Sequence, residues 1–216
     1  MPSGWLTRRV DSSNIAPMLN PPDQERLTEA CRFAIEHHAA QVRKGTEIPY
    51  VSHLLQVSGL VLEHGGDIDQ AAAALLHDTL EDCPEVTVSE LERRFGPAVA
   101  RMVVDCSDTI ASEDGASGGP KPTWQERKDS YLTHLATADP RSVLIAFCDK
   151  VHNLGTITDD LLEHGPRSLD RFTAGPERQC WYFGRVLEVA GARVSAKLRR
   201  RLEALLSTFR DAISDL

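Results

Sequence analysis

Six apolar residues running straight into an imidazole and three carboxylates constrain this chain more than any other stretch. They are Ala71-Ala72-Ala73-Ala74-Leu75-Leu76, followed by His77-Asp78-Thr79-Leu80-Glu81-Asp82. At 3.6 residues per turn, His77 and Glu81, Asp78 and Asp82, and Asp78 and Glu81 fall three or four apart, which places all four on one side of a helix. Like charges at that spacing repel, while the apolar run draws them toward a core. A positive partner is required, and a divalent cation is the simplest. The plain alternative is an acidic helix end emerging into water, so the rest of the chain has to decide.

A chain of 216 residues is long enough for one helical domain with a substantial core. Its formal net charge of −8 argues against a general nucleic-acid or anionic-membrane binder, so any phosphate it holds must meet local Arg, Lys or metal. Cys31, Cys83, Cys106, Cys148 and Cys180 are scattered and never spaced Cys-x-x-Cys, which indicates reduced thiols rather than a disulfide framework or a thiolate zinc site. The N-terminal stretch carries Arg8 and Arg9 but no apolar segment after them, and residues 71–76 are too short to cross a membrane. A cytoplasmic protein is expected. No feature of the sequence fixes an oligomeric state.

In chain order, residues 1–20 lack periodicity and read as a flexible arm, with one domain over 21–216. Leu27, Ala30, Cys31, Ala34, His38 and Gln41 recur at three and four, which predicts a helix over 23–41. Pro49 extends the chain, and Ser52 is placed to cap a helix over 53–64 that Gly65-Gly66 stops. Asp67 or Asp69 can cap the central helix, which is expected to run on to Pro84. Thr87-x-x-Glu90 and Thr123-x-x-Glu126 are capping-box patterns, and Pro97 suits a first helical turn. Residues 107–123 are rich in breakers and form the longest expected loop. Asp139-Pro140 opens a further helix whose apolar run ends at Asp149, with Asn153 and Thr156 on the same face. Helices over 166–216 complete the chain; Trp181-Tyr182-Phe183 and the basic amphipathic segment 197–213 are read as core packing and a solvated face. No strand pattern is found, so the fold class is all-α.

His53, His77-Asp78 and Asp149 thus arrive on three helices, each beside an apolar run. Two imidazoles and two carboxylates make a mixed nitrogen and oxygen site that suits one divalent ion, manganese first, with iron(II) or zinc as alternatives. These residues, in this order, resemble the HD-domain metal-dependent phosphohydrolases. More narrowly the chain is similar to the hydrolase half of the RelA/SpoT alarmone enzymes and to the stand-alone small alarmone hydrolases. The matching segments are Phe33-Ala34 with His38, Gln41-x-Arg43-Lys44-Gly45, Pro49-Tyr50-Val51-Ser52-His53, residues 73–82, residues 95–100, Glu126-Arg127-Lys128 and residues 149–154, which together span 25–160.

The resemblance implies an HD-type helical bundle with a metal at its centre, ligated by His53, His77, Asp78 and Asp149. It implies a catalytic acidic pair in Glu81 and Asp82, an arginine beside the site in Arg43, and substrate contacts from Arg43, Lys44, Asn153 and Thr156. The activity implied is release of pyrophosphate from the 3′ position of (p)ppGpp, with a nucleotide as the only partner and no nucleic acid or membrane. Four positions depart from the family's pattern: Leu54 replaces a proline, Gly45-Thr46 replaces Ser-Gly, and Gly155 replaces an arginine. The alternatives are an HD-type phosphatase acting on NADPH 2′-phosphate or a deoxynucleoside monophosphate, a non-catalytic nucleotide-binding regulator, and a structural helical module.

Overall fold

Helix follows helix through the computed structural model, which describes residues 19–107 and 122–214. The helices are α1 (Pro21–His37), α2 (Val51–Glu63), α3 (Ile68–Leu76), α4 (Thr79–Asp82), α5 (Val88–Phe95), α6 (Pro97–Cys106), α7 (Trp124–Thr137), α8 (Pro140–His164), α9 (Pro176–Ala190) and α10 (Ala196–Ser214). Among the described residues the one extended pairing is an isolated bridge between Val42 and Pro49. The all-α expectation therefore holds. The arm expected over 1–20 and the loop expected over 107–123 lie, but for their ends, outside the described residues.

The centre of the fold is α3. Its residues from Gln70 to Leu76 are all buried, and it packs against α1, α2, α6 and α8. A helix apolar all round has no solvent face to offer and must lie inside. The four alanines let its neighbours approach closely, and Ser58 on α2 donates a hydrogen bond to Ala71 O at 2.9 Å across one such contact. Its start is fixed as expected, by a capping box in which Asp67 accepts from Gln70 N and Gln70 returns a bond to Asp67 N. Asp67 also meets Arg141 at 2.7 Å, and Gln70 donates to Arg141 O, so α3 and α8 are registered at the same end.

Four local expectations need correction. The central helix does not run on to Pro84: its ladder stops at Leu76, and Glu81 N and Asp82 N bond back to Asp78 O in the separate turn α4. His77 Nδ1 and Thr79 Oγ1 bond Ala74 O and Leu76 O, so side chains occupy the carbonyls at the break. The first helix ends at His37, because Gln41 O is taken by Tyr50 N and Arg43 N by Ile48 O, pairing the chain back on itself. Ser52 is no cap; α2 begins at Val51, and Ser52 N is bonded to Pro49 O within the first turn. Thr87 accepts from Glu90 N, although Glu90 completes no capping box there. The Thr123 and Glu126 box, the Asp139 cap and the stop at Gly65, with φ of 89°, form as expected.

All five cysteines are unpaired, four of them buried. Among the described residues no helix is long and apolar enough to cross a membrane. Replacing Asp67 by Ala removes the cap of the helix that carries the centre of the fold. The exposed ion pair to Arg141 adds little, so the urea midpoint should fall by the equivalent of about 1 kcal/mol with an unchanged slope. An unmoved midpoint would assign the start of α3 to packing alone.

Candidate metal centre

Three helices deliver the four expected ligands to one place. The first turn of α2 supplies His53, the break between α3 and α4 supplies His77 and Asp78, and the buried middle of α8 supplies Asp149. Asp149 Oδ1 lies 3.2 Å from His53 Nε2 and 3.7 Å from His77 Nε2. Asp78 Oδ2 lies 3.1 Å from His77 Nε2 and 3.5 Å from His53 Nε2. Ligand atoms of His53, His77 and Asp149 all fall within 4.8 Å of one another, and all three residues are buried.

Both Nε2 atoms are buried and make no hydrogen bond, while each ring is held from its other nitrogen. His77 Nδ1 is 2.8 Å from Ala74 O, so it must carry the proton, and its Nε2 is left with a lone pair turned to the carboxylates. His53 Nδ1 is 2.8 Å from His152 Nδ1, and such a contact needs one donor and one acceptor. Burial, then the neighbouring His53 and Arg43, push His152 down to about 4, so it is neutral, and in the tautomer with its proton on Nε2 its Nδ1 accepts from His53. That leaves His53 Nε2 free for a cation as well. Two inward lone pairs and two carboxylates match the donor set of a divalent ion.

The electrostatics of the ion-free protein agree. Burial pulls His77 down, but Asp78 and Asp149 outweigh it and hold the imidazole well above its usual range. Burial pushes Asp78 up, yet His77 and His53 keep it well below the ordinary carboxylate range. For Asp149 the burial effect is overcome first by Lys150 and then by the imidazoles. Tyr50 donates from its hydroxyl to Asp78 Oδ2 at 2.6 Å, and Lys150 pairs with the outer oxygen of Asp149.

A small polar chamber of about 160 Å³ borders Asp78, Asp149, Glu81, Lys150 and Asn153. Beside it a cavity of about 600 Å³ is walled by Arg43, Lys44, Asp82, Asn153 and Thr156, which gathers the remaining expected residues. Arg43 donates to Asn153 Oδ1 at 2.6 Å, and the Arg43 guanidinium lies 5.5 Å from the Tyr50 ring. The Thr156 hydroxyl is bonded to Asn153 O in its own helix. Gly45 holds the preceding turn at φ 73°, where an added Cβ would come within 2.7 Å of Arg171. Glu81 and Asp82 are both exposed, Glu81 on the small chamber and Asp82 on the large one.

Sequence reasoning gave no role to Tyr50, Lys150, His152, Lys128, Phe172 or Tyr182, all of which border the site. Lys150 follows Asp149 directly, a spacing that no helix-face argument pairs. The aromatic patch was visible, but Tyr182 and Phe183 both pack the core and wall the cavity.

The family described as the HD domain matches residues 30–173. The guanosine-3′,5′-bis(diphosphate) 3′-pyrophosphohydrolase of Aquifex aeolicus (strain VF5) is 37% identical over 139 residues, covering 63% of this chain and 18% of that protein. The Xenopus tropicalis guanosine-3′,5′-bis(diphosphate) 3′-pyrophosphohydrolase MESH1 is 36% identical over 135 residues, covering 61% of this chain and 69% of its own length. This chain therefore spans less than a fifth of the Aquifex relative and about two thirds of the Xenopus one. Among solved structures, a metazoan ortholog of SpoT that hydrolyzes ppGpp superposes with a TM-score of 0.68 at 23% identity, covering 90% of this chain and 97% of that one.

Replacing His152 by Leu leaves the buried His53 Nδ1–H without its acceptor. Chelator competition on the purified variant should read a loss of divalent-metal affinity of about 10–100-fold while circular dichroism stays helical.

Proposed function

The chain belongs to the HD-domain family, and on that premise we propose that it hydrolyses the 3′-pyrophosphate of guanosine alarmones, (p)ppGpp plus water giving GDP or GTP and pyrophosphate. The observation that carries this reading is the junction of a buried His-Asp ligand set with a cavity lined by Arg43, Lys44, Lys128 and Lys150 in a chain of net charge −8. The activities named for the Aquifex and Xenopus relatives support it. Residues 21–216 form one hydrolase domain of a cytoplasmic enzyme, with a small nucleotide as its partner and no nucleic acid or membrane.

His53, His77, Asp78 and Asp149 hold one divalent ion, manganese in our reading. When bound, such an ion would lower the pKa of its water to roughly 7–9 and offset charge at the phosphorus under attack. Arg43 grips pyrophosphate oxygens in bidentate fashion, and Lys44 adds a point charge. Asn153, held by Arg43, and Thr156 contact the nucleoside. Of the two carboxylates at the mouth, one takes a proton from the attacking water, and Asp82 helps return one to the departing 3′ oxygen. Proton transfer of this kind contributes about 10²–10⁴-fold.

The test is product analysis by anion exchange after incubating metal-free protein with ppGpp, with and without manganese, and with NADPH in parallel. Manganese-dependent GDP and pyrophosphate is the expected outcome; turnover of NADPH alone would move the specificity to a 2′-phosphate and overturn the alarmone reading.

Two variants divide the site. Asp78→Ala should lose both bound metal and turnover. Glu81→Gln should keep the metal and slow the chemical step by at least about 10²-fold, and an unchanged rate at saturating substrate would remove Glu81 from the mechanism.

A further inference from the structure

Two residues of the matching segments, His38 and Gln41, have no part in the mechanism above, yet the turn that closes α1 turns both toward α4. His38 is 2% exposed, and a buried imidazole needs a polar partner. It has one: Nδ1 is hydrogen-bonded to Gln41 Oε1. From the other end of the same amide, Gln41 Nε2 donates to Asp82 Oδ2 at 2.8 Å.

The polarity of this chain follows from its last member. An ionised carboxylate only accepts, so the Gln41 NH₂ must face Asp82 and its carbonyl must face His38. His38 Nδ1 must then carry a proton and donate it. The Cys83 thiol, 3.8 Å from His38 Nε2, also lies 3.6 Å from His37 O, to which it donates. One orientation of the Gln41 amide serves both of its partners.

We infer that His38 and Gln41 are positioning residues: His38 fixes the Gln41 amide, and the amide holds the Asp82 carboxylate at the wall of the cavity. This rests on the reading of Asp82 as a proton-moving group. The need for such a device is physical. Asp82 is exposed at the last position of a four-residue turn, and an exposed carboxylate that no partner holds samples several rotamers. A misplacement of about 1 Å in a reacting group can cost 10²-fold. The same His38 ring stacks on Tyr50, with centroids 5.2 Å apart and planes at 18°, and Gln41 O accepts from Tyr50 N at 2.9 Å. Tyr50 in turn holds Asp78. One turn therefore orients a carboxylate of the candidate metal centre and a carboxylate of the proton-transfer pair.

The experiment is a double-mutant cycle of Gln41→Leu and Asp82→Ala on the metal-loaded enzyme, using whichever of ppGpp and NADPH the wild type turns over faster. Gln41→Leu should lower kcat by roughly 10–100-fold with KM and metal affinity unchanged, and should cost nothing further once Asp82 is Ala. His38→Asn, which keeps an N–H donor near the place of Nδ1, should retain more of kcat than His38→Leu. Losses that simply multiply, or a fall in metal affinity equal to the fall in kcat, would overturn the inference. NMR of the Gln41 side-chain amide in zinc-loaded protein gives a readout independent of turnover. Its two protons should move to free-glutamine positions in Asp82→Ala, and an unmoved amide would overturn the relay even if the enzyme hydrolyses neither nucleotide. Turnover of NADPH alone refutes the alarmone substrate and leaves the relay to be decided by the cycle.

Discussion

Everything in this fold depends on keeping ionisable side chains in a place that water barely reaches. His53 is 0%, His77 2% and Asp149 4% exposed. A buried charge without a partner costs several kcal/mol, so helices that carry such groups can cross only where opposite charges meet. Asp78 and Asp149 face His77, and Asp149 faces the ammonium of Lys150. Lys150 is kept charged against burial by Asp149, and it also lies 5.0 Å over the Tyr131 ring. A divalent ion is a stronger answer to the same requirement, which couples the packing of α2, α3 and α8 to ligation.

The break at His77 and Asp78 turns this crossing into a site with two sides. An uninterrupted helix would stack His77, Asp78, Glu81 and Asp82 along one stripe. Because the ladder stops at Leu76, His77 and Asp78 face the buried crossing, while Glu81 and Asp82 stand exposed at its mouth. The larger cavity gathers Arg43, Lys44, Lys128 and Lys150 along with Asp82, Asp159 and Asp160, and Arg171 there is paired with Asp160. An acidic protein thereby gathers four cationic side chains on one cavity.

What the sequence made legible was local or compositional. Asp67, Thr87, Thr123 with Glu126, and Asp139 with Pro140 act within one turn of the backbone, so their patterns could be read directly. The candidate ligands stood out because each is a polar residue at the edge of an apolar run. Where a local signal competed with a distant contact, the reading failed. Ser52 looked like a cap but lost that place to the turn organised by Pro49 and Tyr50, and the periodicity through Gln41 persisted after the helix itself had ended. His38 and Gln41 fitted the helical pattern and yet bond each other across a turn.

By itself the sequence determined that the chain is helical, where most helices start, and which residues are fit to ligate a cation, because hydrophobic periodicity and capping act over three or four residues. The tertiary structure alone decided which side chains meet. His53 finds His152 across 99 positions, and Arg43 finds Asn153 across 110. Those pairings follow from how buried helices pack around α3, and packing is settled by the shape and volume of the whole core rather than by any neighbouring residue.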